Sequence, residues 1–398
     1  MNLLSITVAW AAVCSAAGGV AGGGQPVGRL ELDRTMHEEA TLTEITASRS
    51  TWRTRDGATL HVPTAQLVTW GRCPPWPVGP HVLLADGSVI AGVLEAFDGT
   101  TASVRSGALG RLSLPATSFV GYRRTAASQP AAAALEQGRA ATTDPAARFF
   151  LLLRNDDRLA ARAVTIRDSF AEIDWQGGHV AIPLDRIQSL TMEPVVEHAA
   201  PPAPTLRVAL DDGSRFSLAS LGPPAAALPC DPDLVVAVAA DGAAATSLAA
   251  LTPTACETLT AVGSPCPLTR GQTLGGDWPA ARGLTGFTGI GIQAPARVRY
   301  RLDRSAQRFE STVAIDDSAG HGGSVVVRIV AYGGNDERRE VFASPVLRGG
   351  DEPLAIRADL SGADLSGARE IELVVEPAGR EESLDRTIWL DPRVIAIE

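Results

Sequence analysis

Two neighbouring carboxylates, Asp316 and Asp317, stand between an alternating apolar run and the glycine-rich stretch SAGHGG. Paired carboxylates in such a loop can offer hard oxygen ligands to a structural calcium, and they serve equally as turn caps left in water. No D-x-D-x-D-G loop decides for the metal. Two tryptophans offer a different chemistry, because the C–H face of a sugar packs on an aromatic ring while its hydroxyls seek hydrogen-bonding groups. Trp278, in the loop GGDWPAA, reads as an exposed ring or as a cap over a domain end. Strand alternation puts Trp389 and Asp391 on one face and Ile388 and Leu390 on the other, so Trp389 is either a binding platform or core. Arg348, in VLRGGD, could clamp an acidic or hydroxylated ligand through its planar fork, or simply remain solvated.

Catalytic signatures are missing from the chain. All 35 basic residues are arginine, so Schiff-base and lysine general-base mechanisms are excluded. The six histidines are scattered, and there is no HExxH, GxSxG or P-loop motif. GIGIQA, from Gly289, imitates a dinucleotide fingerprint, but Pro295 and a β pattern follow where a helix would have to start. The sequence predicts a protein that is not an enzyme.

A chain of 398 residues should divide into two or three domains, and its net charge of −10 argues against a nucleic-acid partner. Residues 1–24 contain an apolar run from Leu3 to Ala17 followed by small residues, which predicts a signal peptide and export to the periplasm, cell surface or medium. No other segment is long and apolar enough to suggest a transmembrane span. Beyond the leader remain Cys73, Cys230, Cys256 and Cys266, which allow three disulfide pairings or free buried thiols.

The elements that must hold these residues are strands. Short alternating runs with Gly or Asp-Gly turns fill the region from residue 28 to about 260. They repeat: HVPTAQLVTW around Pro63, LSLPATSFVGY around Pro115 and VAIPLDRIQSL around Pro183 each place an apolar residue four positions after the proline. VLLADGSVIAG, from Val82, matches LLLRNDDRLAA, from Leu151, and a degraded fourth copy begins at TLRVALDDGSRF. This predicts tandem small β-barrel-like units over 28–124 and 148–260, with an Ala/Pro-rich linker over 125–147. From Pro267 the texture changes, and alternation predicts seven strands: Arg297–Leu302, Phe309–Ile315, Ser324–Tyr332, Val341–Ala343, Leu354–Ala358, Glu370–Val375 and Ile388–Ile395.

The C-terminal motifs carry a family resemblance. GIGIQAP, YRLDRSAQRFESTVAIDD, GGSVVVRI, VLRGGDEP and WLDPRV occur in an order that resembles the NPCBM domain, a carbohydrate-binding type of module associated with glycoside hydrolase family 98 and similar to carbohydrate-binding module family 51. The N-terminal repeats resemble the SH3-like or Sm-like barrels of exported planctomycete proteins. The resemblance implies an all-β chain ending, over 262–398, in a galactose-binding-like jelly-roll β-sandwich that docks a glycan or cell-surface polysaccharide, often beside calcium. It points to Trp278, Gln293, Arg348, Trp389 and Asp391 for ligand and to Asp316 and Asp317 for metal. Where the family usually has histidine this chain has Gln293, and Arg386 replaces the histidine of an Asp-His pair. These changes keep a second expectation open, a structural or protein-interaction module with a degenerate sugar site.

Overall fold

The computed structural model describes residues 25–124, 142, 144–176, 178–193, 205–221, 230–242, 244–258, 268–274, 278–333, 337–361, 368–379 and 384–396. The expected leader and most of the expected linker lie outside the described residues. Those residues form β-strands joined by turns and short 3-10 segments, with no α-helix among them. The chain is all-β.

The proline repeats have a common physical form. Thr59–Pro63 and Gly178–Pro183 each end on the proline and enter a 3-10 turn, from which Leu67–Gly71 and Ile187–Met192 emerge. Gly110–Pro115 and Phe119–Arg123 repeat the arrangement around an ordinary turn. Proline fits a strand end because its fixed φ suits the turn and no ladder donor is lost. The apolar residue four positions on (Leu67, Phe119 or Ile187) opens the next strand at 0% exposure.

The repeats pair as local two-folds. The second and third units lie 68–69 residues apart, and equivalent positions meet antiparallel: Phe97 opposite Ile166, and Tyr122 opposite Leu190. The first and fourth units do the same through Trp70 and Val238, each the fourth residue after its 3-10 turn. These pairings thread a 14-stranded sheet through all four units, with a second sheet of six strands formed by units two and three. One apolar core, from Leu30 to Ala240, runs through the whole assembly.

The C-terminal part is a sandwich of two antiparallel sheets. One contains Leu268–Arg270, Gly289–Gln293, Arg386–Ile395, Arg308–Ile315 and Leu354–Asp359. The other contains Ala255–Thr258, Ala296–Ala306, Ala368–Pro377, Ser324–Tyr332 and Arg338–Ala343. Tyr300, Phe309 and Trp389 fill the space between them. All seven strands predicted for this part are present. Two strands ahead of residue 260 also pair with the sandwich: Ala245–Ser247 with Arg393–Ile395, and Ala255–Thr258 with Ala296–Arg299. Those segments are too short to show an alternating period.

Besides the apolar contact of Val68 with Ala245 and Ile395, two side-chain clusters seat the sandwich on the N-terminal assembly. At the first, Trp76 stacks on Trp278 with ring centroids 4.5 Å apart, and the Arg215 guanidinium lies 3.5 Å from the Trp76 ring centroid. Arg215, only 3% exposed, donates to Gly286 O and Thr285 Oγ1 at 2.7 Å and to Pro74 O. At the second, Arg308 of the sandwich joins Glu31 at 2.5 Å and Glu310 at 2.8 Å. Arg393 approaches Glu310 to 3.3 Å, and Arg357 stands 3.6 Å from both carboxylates.

Candidate functional site

The residues singled out from sequence separate into three places. Trp389 is core: it is 0% exposed, meets Phe309 edge-on at 6.3 Å, and gives its indole N–H to Thr387 Oγ1 at 3.2 Å. The platform alternative for Trp389 is therefore ruled out, because both its faces and its donor are used inside the sandwich. Trp278 is half-buried against Trp76 at the domain junction, so its ring is taken up by the protein itself. Asp391 does not stay beside Trp389. A bulge opposite Ser311, with Asp391 at φ +46°, breaks the alternation and places Asp391 with Leu390 and Arg393 along a cleft beneath the N-terminal assembly. Its carboxyl accepts the Thr288 N–H at 2.9 Å, and burial pushes its pKa up.

Gln293, Asp316, Asp317 and Arg348 gather instead at one end of the sandwich, around the segment that leads into Arg386–Ile395. Gln293 lies opposite Arg386 in the ladder. The Ala294 N–H donates to Asp385 O and the Asp316 N–H to Arg386 O, both at 2.8 Å. Asp385, itself 1% exposed, accepts the Ser324 N–H at 2.6 Å. These bonds fix three loops on one base.

The loops close on each other through glycine. A Cβ on Gly349 would strike the carbonyls of Gly320 and Gly322, so only hydrogen fits there. Gly350, at φ +89°, lies against the His321 imidazole, where a Cβ would come within 2.7 Å of Nδ1. His321, Arg348, Asp317 and Arg282 are exposed on this end. The Arg282 backbone N–H reaches both Asp317 oxygens at 3.0–3.1 Å, and its side chain meets Glu352 at 3.3 Å. The result is a rigid base carrying both donors and acceptors, which can hydrogen-bond a polyhydroxylated ligand.

Asp316 and Asp317, the expected metal pair, are both engaged by the protein's own donors. Asp316 Oδ1 caps a 3-10 turn by accepting the Ser318 N–H at 2.9 Å, and both Asp317 oxygens serve Arg282. Asp316 Oδ2 is buried and has no hydrogen-bond partner. Among the described residues no group of three or more His, Cys, Asp or Glu side chains could hold a metal.

Comparison with known proteins bears on this end of the chain. Residues 267–395 match the NPCBM/NEW2 domain family. The NPCBM/NEW2 match spans the sandwich except its two leading strands, and it includes the whole loop cluster. Among solved structures, the chain is similar to a CBM51 from a Clostridium perfringens GH95 protein in complex with methyl-galactose, at 18% identity over 38% of this chain and 99% of that one, with a TM-score of 0.31. It is also similar to the CBM51-2 and INT domains of Clostridium perfringens ZmpB, at 20% identity over 38% of this chain and 31% of that one, with a TM-score of 0.31. The tandem CBM22 domains of Paenibacillus barcinonensis Xyn10C align over 95% of this chain and 100% of that one at 10% identity and a TM-score of 0.25. No curated protein matches.

Sequence reasoning passed over His321, which carries no motif, and Arg282 and Glu352, which only the fold brings to Asp317. It also passed over Trp76, the partner of Trp278. A lone tryptophan between prolines in CPPWPVG was the available signal.

Proposed function

We propose that the protein is an exported, non-catalytic carbohydrate-binding protein that docks a glycan on the loop end of its C-terminal sandwich. The observation that carries this reading is the glycine-packed junction of the His321 and Arg348 loops, with Asp317 in the turn just before it and Gln293 in the adjoining ladder, all within the NPCBM/NEW2-matching segment. Export is supported by Cys256, which is disulfide-bonded while Cys73 and Cys230 are free. Among the described residues no helix is long and apolar enough to cross a membrane.

One observation favours a second reading. Neither Trp278 nor Trp389 is free to meet a sugar ring, which suits a structural or protein-interaction module. A glycan array probed with the full chain separates the two. Saturable binding to a neutral glycan, reduced at least tenfold in H321A/R348A with an unchanged melting temperature, is the expected result. Silence across all glycans would leave the second reading standing.

A further inference from the structure

Beneath the first N-terminal unit, the outer face of the sandwich sheet leaves a cleft of about 490 Å³, within the range of roughly 300–1,000 Å³ found for small-ligand sites. Strands Val27–Leu32 and Leu67–Gly71 form its roof, and Arg308–Ile315, Leu354–Asp359 and Arg386–Ile395 form its floor. It lies outside the loop end described above.

The charged lining of this cleft is unusual for an acidic protein. Four arginines, Arg29, Arg72, Arg357 and Arg393, face it, against three carboxylates, Glu31, Glu310 and Asp391. The carboxylates are largely spoken for. Glu31 and Glu310 hold Arg308, and Asp391 holds the Thr288 N–H.

The arginines, by contrast, have donors to spare. Arg29 and Arg72 are exposed and have no ion pair among the described residues. Arg393 Nε is buried without a hydrogen-bond partner, and a buried donor left unmade is costly. Arg357 reaches its two carboxylates only at 3.6 Å, longer than a formed hydrogen bond. A planar guanidinium is matched best by a carboxylate, which it can grip with two parallel bonds. Walls such as Ala355, Ile356 and Leu284 add apolar surface for the ligand's frame.

We propose that this cleft between the first N-terminal unit and the sandwich is a second binding site, taking a short saccharide that bears a carboxylate, held by Arg72, Arg29 and Arg357. The choice of a sugar acid rests on the carbohydrate-binding reading, whereas the demand for an anion rests on the cleft alone.

Calorimetric titration of the full chain with galacturonic acid and its trimer tests it, with galactotriose and acetate as controls. Arg72→Ala and Arg29→Ala sit on the surface and should fold normally. Each is expected to weaken trimer binding several-fold, and the double variant by tenfold or more. The H321A/R348A pair should leave this affinity unchanged, so failure here and failure of the loop-end reading show up separately. Raising salt should weaken the acidic ligand and not galactotriose. Binding indifferent to Arg29 and Arg72, or no heat with either uronate, would overturn the proposal. Acetate matching the trimer would overturn its saccharide part.

Discussion

Glu31 and Glu310 come from opposite sides of the junction and share three arginines, yet their environments push them apart. Glu31 has its pKa raised above the ordinary 4.5, first by burial and then by the Glu310 charge. Glu310 is lowered despite its burial, because Arg393, Arg308 and Arg357 surround it. A carboxyl with a raised native pKa contributes stability that is present below its unfolded pKa and lost as pH rises through the native value. A lowered one does the reverse. Glu31→Gln keeps the shape and the hydrogen bond without the titration. At pH 7.5 it should melt a few degrees above wild type, and the advantage should vanish near pH 4, where Glu31 is protonated in any case. Glu310→Gln should melt below wild type at pH 7.5, because it leaves Arg308 and Arg393 without their anion. Its deficit should shrink on acidification. Thermal melts of both variants across that range check the signs, and parallel curves for the two would contradict the assignment.

At the scale of the elements, the repeats explain why one sheet runs through four units. A strand that meets its own equivalent antiparallel must do so across a local two-fold, so each substitution near that axis touches its counterpart. Phe97 and Ile166 are both fully buried and face each other there. Phe97→Ala should cost about 3–5 kcal/mol and Ile166→Ala about 2–5, as for other large-to-small core changes. In the double variant the two losses should fail to add by about 0.5–3 kcal/mol, because both side chains border one space. Denaturant unfolding of the cycle measures this, and strict additivity would deny the contact. Much of this architecture was legible in the sequence. Proline four residues before an apolar strand start recurs at Pro63, Pro115 and Pro183, and alternation marked all seven predicted strands of the sandwich. Gly289–Gln293 escaped because two of its five residues are glycines, which leave no side-chain period to read. Of the candidate site, Gln293 and Arg348 were singled out for ligand and Asp316 and Asp317 for metal, but no pattern showed that they share one end of the sandwich. The bulge at Asp391 and the burial of Trp389 were not visible either, since a period-2 pattern assigns a residue to a face without saying whether that face is wet.

At the scale of the whole molecule, the two halves act as one only if their junction holds. That junction is made by residues far apart in sequence, which is why no local pattern announced it: the Trp76 N–H reaches Pro279 O across 203 positions, and Arg308 reaches Glu31 across 277. Arg215 is its centre. A buried guanidinium that donates to two carbonyls and a hydroxyl while stacking on Trp76 combines orientation with desolvation, the features that concentrate binding energy in a few interface residues. Arg215→Ala should therefore cost about 2–4 kcal/mol of docking energy while leaving both cores intact. Arg215→Lys should rescue little, because an ammonium can neither stack nor present the fork. Wild type should melt in one transition, and with docking weakened calorimetry should resolve two melts, one for the repeat assembly and one for the sandwich. The Trp76–Trp278 stack gives a second reading, since tryptophan emission should shift to the red as water enters. If Arg215→Ala keeps one transition and unshifted emission, the halves are joined mainly by the ionic cluster and the apolar contact of Val68 with Ala245 and Ile395, and the cleft above the sandwich would then persist without Arg215.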